Sequence, residues 1–470
     1  MAVGDLAASQ WFVLVRHELF LFAASFFLLG ALDEMAVDIA YLWLRLTGRA
    51  ATPRIAEASY TGRALRGRCA VFIPAWQESA VIAATIAHAR AAWPQTELLI
   101  YIGCYPNDDA TCAAAREGAA GDPRIKIVRH DNAGPTCKAD CLNRLYRALC
   151  EDEARDGITA RMIVLHDAED MVDPAALALL DEAMDEAEFV QLPVMALPAP
   201  GSPWVSGHYT DEFAESHGKA MVVRSALGQG IPGAGVGCAV AREALGRLDA
   251  RRRHAGPFAA GALTEDYELG LEIARLGGRT RFLRVRSEEG RLVATRAYFP
   301  TRVASAIRQK ARWIHGIALQ SWDRRGWHGS AAALWMQLRD RRGPLAALLL
   351  AVAYVLLIAG GVELLLAQAG LVDLPSLSPA MQVLLGCNLA ALVWRLAARA
   401  LFTWRDFGLW QAVLAIPRVI VSNTVAIVAA RRAFAAYLGA LRGGRVAWDK
   451  TEHTHHPADK PALRRAGLAA

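Results

Sequence analysis

The run from Leu345 to Ala367 contains neither Lys nor Arg, and as a helix it is long enough to cross the ~30 Å hydrocarbon core of a bilayer. Any fold for this chain must place that run in lipid or in a large apolar interior. A second apolar stretch, from about Trp11 to Leu46, is cleanest between Leu19 and Leu32. It then meets Asp33, Glu34 and Asp38, which hydrocarbon accepts only when paired. Its lead is acidic and shows no small-residue cleavage pattern, so an uncleaved anchor is expected. A third run, Met381 to Leu401, sets Arg395 and Arg399 where they can snorkel at one end. Trp410 to Leu438 is different, with Pro417-Arg418 near its middle and Arg431-Arg432 later. A lipid-facing span would pay several kcal/mol for a central arginine, so one or two amphipathic helices at the interface are predicted.

Charge asymmetry orients these segments. Arg45, Arg49, Arg54, Arg63, Arg66 and Arg68 follow the first run, and Arg339, Arg341 and Arg342 precede the second. The connection from Gln368 to Ala380 has no Lys or Arg, whereas Arg405, Arg431, Arg432, Arg442 and Arg445 follow the third run. Excess positive charge marks the cytoplasmic side. The expected division is an anchor over 1–47, a cytosolic domain over 54–342, two membrane helices within 343–402, interfacial helices within 403–446 and a cytosolic tail over 447–470. Apolar residues at 54% and charged residues at 21% suit such a mixture better than a wholly soluble enzyme or a pure bundle of spans. The net charge of +6 arises from arginines at the membrane borders, so membrane lipids and no nucleic acid are the expected partners. The eight cysteines form no C-x-x-C pair and read as free thiols in a reducing compartment.

The central region alternates short β-rich runs with helical stretches. Cys69–Pro74, Glu97–Ile102, Pro123–Arg129 and Ala160–Leu165 read as strands, and Ser79–Trp93 as an Ala-rich helix. Apolar strands with helical crossovers imply an α/β fold with a mostly parallel sheet, whose ligands sit at the carboxyl ends of the strands.

Three groups there can carry chemistry. Asp167-Ala-Glu169 follows the fourth strand, and acidic residues two apart can reach one hard cation, Mg²⁺ or Mn²⁺. The same residues can equally form an acidic turn capping a helix near Pro174. Glu265-Asp266 precedes a helical stretch, Tyr267 to Leu276. Asp266 can serve as a general base, or Thr264 and Asp266 can simply cap the helix. Gln309-Lys-Ala-Arg312-Trp313 offers a flat ring for a sugar and a charge for a diphosphate, or is an ordinary basic helix turn.

The ordered set is more informative than its parts. Pro74-Ala-Trp-Gln-Glu78 comes first, then Thr136-Cys-Lys138-Ala-Asp140-Cys-Leu-Asn143, Asp167-Ala-Glu169, Glu265-Asp266, Gln309-x-x-Arg312-Trp313 and the apolar runs. Over roughly residues 65 to 320 this resembles the family 2 glycosyltransferases of GT-A (Rossmann-like) fold, in the branch of cellulose, chitin and hyaluronan synthases. Cys104-Tyr-Pro-Asn-Asp-Asp-Ala-Thr111, Gly233-Ala-Gly-Val-Gly237 and Ala447-Trp-Asp-Lys-Thr-Glu-His453 narrow the likeness to the phage adsorption protein B glycosyltransferases of bacterial inner membranes.

The resemblance implies an inverting hexosyltransferase that uses a nucleotide-sugar, with a UDP-sugar the expected donor. On its pattern Asp167 and Glu169 hold metal and diphosphate, and Asp266, beside Glu265, is the catalytic base. Pro74, Glu78, Asn107, Asp108 and Lys138 lie at the donor, and Gln309, Arg312 and Trp313 at the acceptor end. The acceptor is a glycan or a lipid-linked molecule, and an outer-membrane export partner is implied for an exopolysaccharide. Members often add a C-terminal cyclic-di-GMP-type domain. The sequence stops at Ala470, so that module is not expected here. The family's acidic run after the second strand is replaced by Cys104-Tyr105, followed by Asn107, Asp108 and Asp109, and the metal motif ends in Glu169 rather than Asp.

Three activities remain open: processive synthesis of a surface polysaccharide, a single transfer to a lipid carrier, and a catalytically silent scaffold or receptor component. Gly228 to Gly237 is expected to let the backbone pass close to the acceptor. His453, His455 and His456 are read as part of a solvated tail.

Overall fold

A computed structural model describes residues 8–374, 376–443 and 455–459. The Ala447–His453 stretch therefore lies outside the described residues, as does most of the expected tail. Eleven strands occur among the described residues: β1 (Arg54–Ile55), β2 (Cys69–Pro74), β3 (Leu98–Cys104), β4 (Ile125–Arg129), β5 (Met162–Leu165), β6 (Phe189–Gln191), β7 (Val194–Leu197), β8 (Cys238–Ala241), β9 (Thr280–Phe282), β10 (Arg286–Ser287) and β11 (Thr295–Tyr298). Seven of them form one sheet in the order β4-β3-β2-β5-β8-β6-β9. Pairing is parallel except where β8 runs antiparallel to β5 and β6. The small pairs β7–β11 and β1–β10 are also parallel.

The sheet is buried on both faces. Val71, Ile73, Ile100 and Val164 point into one cluster with helix Ile82–Ala92, while Ala70, Phe72, Tyr101 and Ile163 point into the other with helix Lys138–Asp156. That alternation is why the strands read as continuous apolar runs. Strand order reverses at β2, whose neighbours β3 and β5 both run parallel to it, and this switch point opens a crevice at their carboxyl ends.

Four helices among the described residues are long and apolar enough to cross a membrane: Val13–Leu46, Gly343–Gln368, Pro379–Phe407 and Leu409–Leu441. The first continues through Asp33, Glu34 and Asp38 because each of the three has a partner. Arg339 and Arg342 pair with Asp33 and Glu34, Arg395 reaches Glu34 at 3.3 Å, and Lys219 meets Asp38 at 2.5 Å. Several of the arginines that flank the apolar runs in sequence are thus structural partners of the first long helix.

Where one or two C-terminal amphipathic helices were expected, there is one continuous helix, Leu409–Leu441, with Pro417 inside it. Arg418 does not face lipid. It is 1% exposed, its Nη1 lies 3.0 Å from Asp211 Oδ1, and its Nε donates to Pro203 O at 2.6 Å. Gly207 leaves room for the guanidinium, since a Cβ there would lie 2.5 Å from it. Further along, Val425 packs with Tyr209 and Ala306, Ala429 and Ala433 pack on Ala311, and Tyr437 donates to Asp323 at 2.8 Å. At ~1.5 Å rise per residue these contacts run for roughly 28 Å along the α/β unit.

Removing one member of a buried ion pair leaves the other uncompensated, at a cost of about 3–5 kcal/mol. Arg418→Met is therefore expected to lower the melting temperature of the detergent-solubilised protein by several degrees, and adding Asp211→Asn is expected to recover part of the loss. Equal melting of Arg418→Met and wild type would show that the pair contributes nothing.

Candidate active site

The chain leaves the sheet at the carboxyl ends of β2, β4 and β5, and each exit supplies part of one cavity of about 200 Å³. β2 ends at Pro74, a residue that cannot continue the ladder, and the turn carries Trp76 and Glu78 to the cavity wall. Helix Lys138–Asp156 begins with Lys138, whose side chain enters the cavity. β5 is wholly buried, and the chain breaks out at His166 into the Asp167–Asp170 turn. Asp170 holds that turn: its Oδ2 bonds Asp167 N at 2.9 Å and His166 Nδ1 at 2.9 Å.

The second acidic site comes from the first turn of helix Glu265–Arg275. Thr264 makes no side-chain cap bond there, and its Oγ1 is buried without a hydrogen-bond partner among the described residues. Simple capping therefore does not account for the Thr264-Glu265-Asp266 run. Asp266 Oδ1 accepts from Tyr267 N at 2.8 Å. The Gly-rich segment makes way for Asp266: a Cβ at Gly235 would lie 2.2 Å from Asp266 Oδ2, and one at Gly233 would lie 2.5 Å from Asp266 O.

Helix Val303–Ile314 closes the cavity with Gln309, Arg312 and Trp313. Trp313 stands edge-on to Tyr209, at 6.0 Å between ring centroids, and to Phe213 and Phe299 at 6.3 and 6.4 Å. Lys310 does not line the cavity. It pairs with Glu212 and lies over the rings of Tyr209 and Trp313, at 4.9 and 5.1 Å.

Ten of the residues singled out from sequence thus line one cavity: Pro74, Glu78, Lys138, Asp167, Glu169, Glu265, Asp266, Gln309, Arg312 and Trp313. Asn107 and Asp108 are not on its wall. Asn107 exchanges two hydrogen bonds with Gly134, at 2.8 and 2.7 Å. Asp108 accepts from Gln77 N at 2.6 Å and from Thr111 N at 3.3 Å, holding Gln77 in a left-handed conformation with φ 54°. Both brace the loops that carry Trp76 and Thr136. Trp76, Phe213, Tyr298 and Phe299 line the cavity without having been singled out. Trp76 lay inside the Pro74–Glu78 motif and could have been found there, whereas Phe213 belongs to no motif.

The charges are unbalanced. Six carboxylates (Glu78, Asp167, Glu169, Asp170, Glu265 and Asp266) and two basic side chains, Lys138 and Arg312, share the cavity wall among the described residues. Lys138 Nζ lies 2.5 Å from Asp167 Oδ1. Burial opposes its charge, but Asp167, then Glu265 and Asp266, outweigh burial and raise its pKa. Glu265 is pushed up to about 8, by burial first and by Asp266 second, with Lys138 opposing. Asp266 is raised as well, chiefly by burial.

An excess of desolvated negative charge fits a divalent cation. Among the described residues no three His, Cys, Asp or Glu side chains converge as ligands. Asp167 and Glu169 are the two side chains that would hold such a cation, with ligand oxygens or water needed to complete its shell.

Residues 67–316 match the family described as Glycosyltransferase like family 2, and the chain belongs to that family. Among curated proteins it is 31% identical over 452 residues to bacteriophage adsorption protein B of Escherichia coli (strain K12), covering 90% of this chain and 60% of that protein. The bacteriophage N4 adsorption protein B of Escherichia coli O157:H7 matches equally. The chain thus spans about 60% of the length of these relatives. Among solved structures, a mannosyltransferase from Pyrobaculum calidifontis, in complex with GDP-Man and Mn²⁺, aligns with TM-score 0.54 at 17% identity, covering 87% of this chain and 99% of that one. That likeness concerns the fold, an α/β GT-A unit with flanking apolar helices.

A carboxyl whose folded pKa lies above its unfolded value stabilises the fold at low pH and loses that stability as pH rises through the folded pKa. For Glu265 the window runs from the ordinary carboxylate range up to about 8. Glu265→Gln removes the charge, so the variant is expected to melt above wild type at pH 8, by a gap that narrows toward pH 5. A gap that is constant across this range, or a lower melting temperature at pH 8, would contradict the assignment.

Proposed function

We propose that the protein is an inverting glycosyltransferase that takes a nucleotide-sugar and builds an exopolysaccharide or other surface glycan at the bacterial inner membrane. The observation that carries this reading is the meeting of Asp167, Glu169 and Lys138 with Asp266 in one cavity. Asp167 and Glu169 would hold Mg²⁺ or Mn²⁺, which when bound offsets charge on the diphosphate leaving group. Lys138 supplies a further fixed positive charge for the diphosphate. Asp266 takes the acceptor hydroxyl proton as the oxygen bonds to the anomeric carbon and the bond to diphosphate breaks, leaving its electron pair on the diphosphate. Trp313 and Phe299 give the sugar flat apolar faces, and Gln309 Oε1, buried without a hydrogen-bond partner among the described residues, is placed to accept from a hydroxyl.

The docking of Leu409–Leu441 along the α/β unit supports a helix lying on the membrane face, with Gly343–Gln368 and Pro379–Phe407 crossing as a pair. The α/β unit and the end of Leu409–Leu441 would then share the cytosolic side.

On this reading Asp266→Asn lowers kcat by roughly 10²–10⁴-fold with little change in donor affinity. Because only the ionised Asp266 accepts the proton and its pKa is raised, activity is lost as pH falls, with the acidic limb above the ordinary carboxylate range. Release of nucleoside diphosphate from a screen of nucleotide-sugars, with and without chelator, measures these effects, and sizing the labelled product separates polymerisation from a single transfer. Full activity in excess chelator, or in Asp266→Asn, defeats the proposal. A second reading, a receptor component with a silent transferase domain, draws on the name of the relatives, which refers to phage adsorption. It requires that Asp266→Asn leave the cellular phenotype intact while deletion of the protein abolishes it.

A further inference from the structure

Three side chains grip the Asp167–Asp170 turn and its continuation from behind, each by a backbone carbonyl. Thr85 Oγ1 donates to Ala168 O, His88 Nε2 bonds Val172 O at 2.9 Å, and between them His456 Nε2 bonds Asp170 O at 3.2 Å. Thr85 and His88 belong to helix Ile82–Ala92. His456 comes from beyond the last long helix, 286 residues from Asp170.

His456 is not solvated, contrary to the expectation for a polar tail. It is 0% exposed, and its ring lies 6.3 Å from that of His88. Both ring nitrogens have partners, which offsets the cost of burying an imidazole. Ala458 N can only donate, and it bonds Nδ1 at 3.1 Å. The proton of the neutral ring therefore sits on Nε2 and donates to Asp170 O. The turn Pro457–Asp459 rests against helix Ile82–Ala92 and β11. Asp170 is thus held twice: its carboxylate closes the turn onto Asp167 N, and its carbonyl is tied to the tail. Asp167 and Glu169 project to the cavity on the other side.

We propose that His456 is a positioning residue for the transfer reaction: by fixing the Asp170 carbonyl, it sets how Asp167 and Glu169 present their carboxylates to a divalent cation. This inference rests on the metal role proposed above for those two residues. It also makes the cation site depend on the membrane-side elements. The tail follows helix Leu409–Leu441, and that helix packs on the helix bearing Gln309, Arg312 and Trp313.

The test is Mn²⁺ binding by the full chain in detergent, read from the electron paramagnetic resonance of free Mn²⁺ without donor or acceptor, so that turnover plays no part. Outer-shell partners of metal ligands typically contribute 10–100-fold to affinity. His456→Ala is expected to weaken Mn²⁺ by about tenfold. His456→Gln, whose amide nitrogen can reach the same carbonyl, is expected to return to within about threefold of wild type. Should His456→Ala fail to fold, His456→Asn replaces it, keeping an acceptor for Ala458 N and losing the reach to Asp170. Amide hydrogen exchange is read in parallel. His456→Ala should speed exchange over residues 166–171 while β2 and β3 keep wild-type protection, which separates local release from general destabilisation. Unchanged Mn²⁺ affinity, or unchanged exchange over 166–171, overturns the proposal. Absence of Mn²⁺ binding in wild type, or wild-type binding by Asp167→Asn, instead overturns the metal role of the two carboxylates, and the exchange data then decide separately whether His456 fixes the turn.

Discussion

The ion pair between Lys138 and Asp167 is the contact on which the rest of the site depends. It joins the amino end of one helix to the carboxyl end of β5 across the crevice where strand order reverses. Lys138 also opposes the burial that raises the pKa values of Glu265 and Asp266, so a single ammonium tempers the acidic groups from both halves of the sequence. Lys138 and Arg312 cannot balance six carboxylates in a desolvated space, and the surplus favours either protonation or a metal ion. This is the physical reason to connect a donor's diphosphate with this wall of the cavity.

The membrane-side helices contribute directly to the site. Arg418 reaches Asp211 on helix Val205–Glu215, the helix that also bears Tyr209 and Phe213. Those rings border Trp313, and Lys310 bridges them through its pairing with Glu212. The end of the cavity at Trp313 is therefore built on a helix pinned by Leu409–Leu441. At the other end, Asp33, Glu34 and Asp38 of the first long helix pair with Arg339, Arg342, Arg395 and Lys219, fastening that helix to the α/β unit and to the segments that follow it.

Much of the architecture was legible because its causes are local. Continuous apolar runs separated by helical stretches imply a parallel sheet, and the topology of such sheets gathers strand ends on one edge, so motifs distant in sequence meet. What escaped depended on partners far along the chain. Arg418 read as a charge that a lipid-facing span would have to bear only so long as Asp211, 207 residues away, was out of view. Asn107 and Asp108 had the composition of ligands, but their hydrogen bonds go to the Gly134 and Gln77 backbones, a use that spacing cannot reveal. His456 lay in a short polar segment whose seat is a single carbonyl on the opposite side of the sequence. Phe213 and Phe299 came together from a helix and a loop with no shared period.

The proposed transfer requires the donor and the base to share one cavity. An anomalous-scattering or cryo-electron microscopy map of the protein with Mn²⁺ and a nucleoside diphosphate tests that most directly. The predicted result is a metal peak bound by Asp167 and Glu169, with the diphosphate beside Lys138 and Asp266 facing the same space. Metal and diphosphate bound on another surface, with the Lys138–Asp167 pair undisturbed, would contradict it.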